Sequence, residues 1–408
     1  MIRNRGKPHR RGRRIAATAV ATVLFGLATA APIPAQWSDV AVDAKARGVV
    51  SADDFTRPAV LETMLDLSVE HRDDRSLLQA EIRLAWNALG GHAVTFDESC
   101  VRFELSGLIG RWSVGWDTVT WSLADLVSAV EFAAPADYRS VAFGVDSVPD
   151  LNSFVAGWSI DWPSGVAELV WLPVFVSDRF TEPLVPGVTI LPVAMPEPTF
   201  ANGQVAARIR LFLPWLDLSA VFFDGYDTMP VYELALEPPS TLALEGSFQR
   251  FTAIGAQFAL PVGAFLLRAE SQVDLNREFS RPASLSVSPV TGTEIRWMAG
   301  IDWFRSDWTA TLEAGAAHRP ERAADWEKDA NDWQIGVTVS RSWFGGRLDA
   351  RVTGITDPDS RATYVRPEFS LLLTDAVELR CLAEILWGEL IPGVSDTQVY
   401  GVTVRYRL

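Results

Sequence analysis

From about Leu78 to Leu408 apolar and polar residues trade places at every second position, a period of two and not 3.6. The last stretch is the plainest: Tyr400, Val402, Val404, Tyr406 and Leu408 share one face, and Gly401, Thr403, Arg405 and Arg407 the other. Between Thr293 and His318 the pattern runs out and back. Ile295, Trp297, Ala299, Ile301 and Trp303 alternate with Glu294, Arg296, Met298, Gly300 and Asp302. After Arg305-Ser306-Asp307, Trp308, Ala310, Leu312, Ala314 and Ala316 alternate with Thr309, Thr311, Glu313 and Gly315. Runs of about ten residues exceed the usual soluble strand and suit one tilted across a bilayer.

One such hairpin fits a soluble sandwich equally well, so the connections carry the distinction. Tight turns stand at Pro163-Ser164-Gly165, Pro214-Trp215, Pro261-Val262-Gly263, Arg305 to Asp307, Phe344-Gly345-Gly346 and Thr374-Asp375-Ala376. Long connections alternate with them, at about 177–202, 224–247, 276–292, 318–331, 356–363 and 388–396. The uncharged run Phe251 to Leu267 is broken by Pro261-Val262-Gly263 and reads as two strands and a turn, not a spanning helix. Trp162, Trp215, Trp303, Trp308 and Trp343 lie beside short turns; Trp297, Trp333, Trp387 and Tyr400 lie nearer long loops. That placement fits two aromatic girdles. The pattern therefore predicts an all-β, transmembrane antiparallel barrel over 78–408, with short periplasmic turns and long extracellular loops. Sixteen strands can be drawn, at 78–87, 94–106, 110–121, 152–162, 166–176, 203–213, 216–225, 248–260, 264–275, 293–304, 307–318, 332–343, 346–356, 363–373, 376–387 and 397–408; 14 to 18 are compatible.

The termini of this pattern are less regular. Met1 to Arg14 carries seven basic residues and no acid, Ile15 to Ala31 is uncharged, and Ala28-Thr29-Ala30 offers a small-x-small cleavage site. Residues 1–35 read as a cleaved secretory signal peptide, which predicts export to the cell outer membrane. Residues 36–77 read as an N-terminal periplasmic or lumenal segment, too short for the plug of a TonB-dependent transporter; Leu61 to Arg72 fits a helix or a strand. Residues 122–150 interrupt the alternation: Ser122 to Val130 looks briefly helical, and Pro135 and Pro149 break it. A segment folded into the lumen as a constriction accounts for that.

Charge narrows the function. Without its seven basic leader residues the chain is near −22, which disfavours nucleic acid as a partner. The polar face is heavily charged: Arg208, Arg210, Arg268, Glu270, Glu294, Arg296, Asp302, Arg347, Asp349, Arg351, Arg366, Glu368, Glu378, Arg380, Glu384, Arg405 and Arg407. In a dry core or in lipid these residues would be costly; in a wet lumen they pair and stay hydrated. They either orient a polar or anionic solute or only brace the wall. In this reading the C-terminal strand closes against 78–87, with Arg405 and Arg407 facing Glu81 and Arg83.

Chemistry beyond passage is thinly signalled. His71, His92 and His318 form no metal-binding spacing and there is no GxSxG, so no catalytic residue, metal or cofactor is assigned. Cys100 and Cys381 fall on opposite faces and read as two free thiols. The function expected is a porin-like channel for a polar, anionic or lipid-like solute. The alternatives are a closed-lumen binding or assembly component of an export system and a membrane-embedded lipid hydrolase.

Residues 110–180 add a family resemblance. Gly110-Arg111, Trp121, Asp125, Val127, Pro135-Ala136-Asp137-Tyr138-Arg139, Val148-Pro149, Trp162-Pro163 and Val170-Trp171-Leu172-Pro173-Val174-Phe175, with Phe223-Asp224-Gly225-Tyr226-Asp227 later, resemble a family of proteobacterial outer-membrane barrels similar in style to alginate-export porins. Trp112 and Ser122 stand where that family usually has Gln and Gly. The resemblance implies an outer-membrane location and traffic of lipid-like or polymeric molecules beside an inner-membrane exporter. Outer-membrane lipid, lipopolysaccharide and the barrel-assembly machinery are the further partners expected. The last is suggested by Val399-x-Gly401-x-x-Val404-x-Tyr406 ending in Leu408.

Overall fold

The computed structural model describes residues 39–51, 58–72, 75–87, 91–95, 100–132, 134–137, 150–179, 188–237, 241–279, 289–320, 330–391, 394–396 and 398–407. The signal peptide expected at 1–35 lies outside them.

One large antiparallel sheet dominates. Its strands are β1 (Asp39–Ser51), β2 (Pro58–Arg72), β3 (Ser76–Asn87), β4 (Cys100–Gly107), β5 (Gly110–Asp117), β6 (Ser153–Trp162), β7 (Gly165–Leu172), β8 (Gln204–Leu213) and β9 (Leu216–Tyr226). It continues with β10 (Arg250–Val262), β11 (Phe265–Phe279), β12 (Val290–Arg305), β13 (Trp308–His318), β14 (Asn331–Trp343), β15 (Leu348–Thr356), β16 (Thr363–Leu372), β17 (Val377–Trp387) and β18 (Gln398–Arg407). A nineteenth strand of the sheet, Gly91–Thr95, pairs among the described residues only with β3, and each of these eighteen pairs with its predecessor and its successor. The last pairs with β17, Val377 opposite Tyr406, and also with β1, Ala44 opposite Tyr406. The pairings thus run round a ring, so this sheet leaves no edge among these strands.

The N-terminal expectations need two corrections. Residues 39–51 and 58–72 are two ring strands, not a separate periplasmic or lumenal segment. The partner of the C-terminal strand is accordingly β1, with Lys45 opposite Arg405 and Asp43 opposite Arg407; Glu81 and Arg83 pair instead with Ser68 and Asp66 of β2. Alternation was present in Leu65, Leu67 and Val69 against Asp66, Ser68 and Glu70, but β1 alternates mainly among Ala, Val and Gly, which mark neither face. Closing a ring in this sequence takes an even strand number, and the extra hairpin keeps the count even.

The period of two sorts residues between the inside and the outside. Gln272, Asp274 and Glu313 have 0% exposure, whereas Val402 and Val404 are 49% and 45% exposed. Polar residues are inside and apolar residues outside, the reverse of a soluble sandwich. An outer surface built from Phe103, Leu105, Ile209, Leu211, Ile254, Val337, Val339, Val352 and Phe369 is far more apolar than water tolerates on a monomer. Connections of two to four residues lie at one rim, and both ends of the ring, Asp39 and Arg407, lie there too. Longer connections lie at the other rim. Gly263 at φ 63°, and Phe344, Gly345 and Gly346 at 55°, 67° and 84°, supply the left-handed backbone that these tight turns require. At the far rim two long connections meet in a three-stranded sheet, Val231–Glu237 with Thr241–Ser247 and, parallel, Val188–Ile190.

Candidate functional site

Residues 118–132 leave β5 and lie inside the ring. Val119, Trp121, Val130 and Phe132 join Val155, Leu172, Ala206, Val221, Phe223, Phe251 and Ala253, inward residues of β6 to β10, in one apolar cluster. Phe132 stacks on Phe223 with centroids 4.8 Å apart. Leu126 packs against Ile355, Tyr364 and Leu386 of β15 to β17. The segment therefore bridges two distant arcs of the wall. Two inward glycines make room for it: a Cβ on Gly336 would meet Leu126 Cβ at 2.7 Å, and one on Gly315 would meet Val127 Cγ1 at 2.7 Å.

Two wall carboxylates hold its backbone. Glu313 Oε1 accepts from Asp125 N–H at 2.9 Å, and Oε2 accepts from Leu126 and Val127 N–H at 2.8 and 2.9 Å. Glu270 accepts from Ser122 Oγ at 3.0 Å, from Leu123 N–H, and from Ala129 and Val130 N–H at 3.1 and 3.2 Å. Gln257 Nε2 donates to Glu270 and to the Trp121 carbonyl. This corrects the helix expected over Ser122 to Val130. Its N–H groups are taken by the wall instead of by carbonyls four residues back, and the residues form bends. Arg268 completes the latch. It pairs with Asp125, Asp302 and Glu313 at 2.7, 2.7 and 2.9 Å and donates to the Leu123 carbonyl.

The other charged residues fall into groups along the wall. Near the long-loop rim Arg277 pairs with Asp227, Asp274 and Glu294, Arg296 pairs with Asp274 at 3.1 Å, and Arg319 pairs with Glu294 at 2.6 Å. Towards the closing seam Arg366 pairs with Glu368 at 2.8 Å, Arg380 with Glu368 and Glu378 at 3.5 Å, and Arg405 and Arg407 reach Glu378 at 4.0 and 3.2 Å. Beside β4 to β8 Arg208 pairs with Glu168 at 2.6 Å and lies over the Trp121 ring, and Arg102 pairs with Asp117 at 3.0 Å. A polar cavity of about 230 Å³ opens there, lined by Arg102, Glu104, Asp117, Trp121, Glu168 and Arg208. Arg210, beside Phe212, Asp349, which accepts from Ser342 Oγ, and Arg351 stand on the inward register of their strands. Arg347 does not. It lies in the Trp343–Leu348 turn and is exposed, because three positive-φ residues carry the chain past the end of β14 before β15 starts.

The charged-face reading missed Glu313 as an anchor and did not single out Asp125, Glu168, Asp274 or Arg277. All but Arg277, which follows a register shift in β11, and Asp125 sit at inward positions that parity alone marks. Both cysteines are free: Cys100 lies 3.9 Å from Asp117, and Cys381 is exposed.

A third anchor lies beyond the strands. Asp178 Oδ1 accepts from Ala136 N–H at 2.8 Å and Oδ2 from Thr228 Oγ1 at 3.0 Å, which ties 134–137 to two long connections. Burial pushes its carboxyl up from 3.8 to about 6. The folded protein therefore takes up the proton first. This contribution to stability is full below 3.8 and is lost as pH rises to about 6. The unfolding midpoint should fall between pH 4 and pH 7 in the wild type, and the fall should be shallower in Asp178→Asn, whose amide is neutral throughout. Equal slopes would reject the assignment.

No protein-family model matches the chain, and no curated protein matches it. Solved structures do. OccK2 (OpdF) of Pseudomonas aeruginosa, solved in complex with glucuronate, is 8% identical with a TM-score of 0.56 over 90% of this chain and 97% of that one. OccAB2 of Acinetobacter baumannii is 9% identical with a TM-score of 0.55 over 92% and 99%. OccK8 (OprE) of Pseudomonas aeruginosa is 8% identical with a TM-score of 0.53 over 90% and 97%. At such identities the likeness is one of fold, and the fold is that of the bacterial outer-membrane β-barrels.

Proposed function

We propose that this protein sits in the outer membrane and conducts a polar, anionic solute through a charged lumen narrowed by residues 118–132. The observation that carries the reading is the inversion of polarity: ion pairs and buried carboxylates inside, an apolar belt outside. A charged interior is sustained by water, and a water-filled barrel across a membrane is a path. The cavity beside Arg102 and Arg208 and the arginines near the seam, Arg366, Arg380, Arg405 and Arg407, are the proposed solute contacts. A small carboxylated sugar such as glucuronate is the first solute to try. The resemblance to alginate-export porins belongs to the same proposal and widens the candidates to uronate polymers. No step in this reading requires catalysis.

Two measurements test it. In planar bilayers, replacing Arg380, Arg405 and Arg407 together with glutamate should move the reversal potential toward cation preference while the folded band on gels is kept. An unmoved reversal potential would take these residues out of the path. On intact cells, epitope tags within 280–288 or 321–329 should be reachable by antibody and a tag at Gly345 should not, since the short-turn rim faces the periplasm. The opposite labelling would invert the orientation.

A further inference from the structure

The outward positions in the short-turn half of β4 to β18 are uncharged, with two exceptions on nearby strands: Arg305 at the end of β12 and Arg341 within β14. Arg341 is outward by parity, since Gly336 on the same strand touches the inner segment and Val337 and Val339 are exposed outside. It lies opposite Trp308 of β13, and Trp308 lies opposite Arg305. The Arg341 guanidinium carbon is 4.9 Å from the ring centroids of both Trp308 and Trp343. Its Nε is buried without a hydrogen-bond partner. No carboxylate pairs with it among the described residues.

An arginine on the lipid-facing wall is costly at mid-bilayer and tolerated only near headgroups. Here two indoles flank the guanidinium at the level of the short-turn tryptophans, where an aromatic belt meets the polar boundary. β12 and β14 are two strand spacings apart, about 10 Å. Both side chains can therefore converge on one anion above Trp308. A planar fork held this way suits a phosphodiester better than a point charge would.

We propose that Arg341 and Arg305, with Trp308 and Trp343, form a binding site for the phosphate of a phospholipid headgroup in the leaflet at the short-turn rim. The site rests on the membrane location proposed above and on no property of the lumen.

Native mass spectrometry of the full-length protein in dodecyl maltoside, titrated with dioleoylphosphatidylglycerol, tests it. The wild type should retain the lipid, and Arg305→Gln/Arg341→Gln should bind it about tenfold more weakly, the scale of one charge-assisted hydrogen bond. Arg341→Lys should fall between them. Dioleoylglycerol, with the same chains and no phosphate, should not be retained by the wild type. That comparison decides the matter even if the double variant fails to fold. Equal retention of the two lipids, or equal binding by wild type and double variant, would overturn the proposal. So would displacement of the lipid by millimolar inorganic phosphate, which would mark a free-anion site. Heat-modifiable gel mobility, read on the same samples, separates failure of this site from failure of the membrane reading.

Discussion

Replacing Glu270 and Glu313 together with glutamine should raise single-channel conductance severalfold over the wild type. Both oxygens of each carboxylate accept backbone N–H groups of the inner segment: Asp125, Leu126 and Val127 on Glu313, and Leu123, Ala129 and Val130 on Glu270. A glutamine keeps the shape but turns one acceptor into an NH2 donor, so whichever way the amide turns, donor would face donor at Asp125 or at Leu126 and Val127 for position 313, and at Leu123 or at Ala129 and Val130 for position 270. Charge-assisted hydrogen bonds are worth about 1.5–3 kcal/mol each, so the double change removes several kcal/mol from the hold on the segment. Leu126 and Phe132 keep their apolar contacts, which is why one substitution alone should give only flickering between two levels. Deleting 122–130 should give the high level permanently. Conductance unchanged in both variants would mean that the segment does not lie in the path.

Deleting Tyr406 to Leu408 should abolish assembly, the largest effect expected of any small change. Tyr406 and Arg407 hold the last rungs on both sides of the seam, pairing with β1 through Ala44 and Asp43 and, for Tyr406, with β17 through Val377. Arg407 N–H also donates to the Ala376 carbonyl. Losing them strips the terminal rungs from both sides of the seam at once, and the backbone groups of β1 and β17 that they paired with are left without partners at the rim where the ring closes. Outer-membrane fractionation should find the truncated chain absent or degraded; wild-type levels in the membrane would reject the seam.

Most of the ring was legible because parity is a two-state signal that every residue repeats. Trp297, Ile301 and Trp303 against Glu294, Arg296 and Asp302 fix a face without any knowledge of neighbours. β1 was not legible for the same reason, since Ala41, Ala44, Ala46 and Gly48 suit either face. The inner segment shows in the sequence as an interruption of the pattern, but its local structure does not. Ser122 to Val130 has helix-compatible spacing, and only the wall shows that Glu270 and Glu313 outcompete the helix for its N–H groups. Which arginine pairs with which acid was unreadable from one chain, because register between distant strands sets it.

The central claim is a closed ring of strands with its apolar face toward lipid, and gel mobility tests it most directly. The purified protein should require detergent and should run at a lower apparent mass unboiled than boiled, because the closed ring resists dodecyl sulfate until heated. A protein that stays soluble without detergent and runs at one position, boiled or not, would contradict the account.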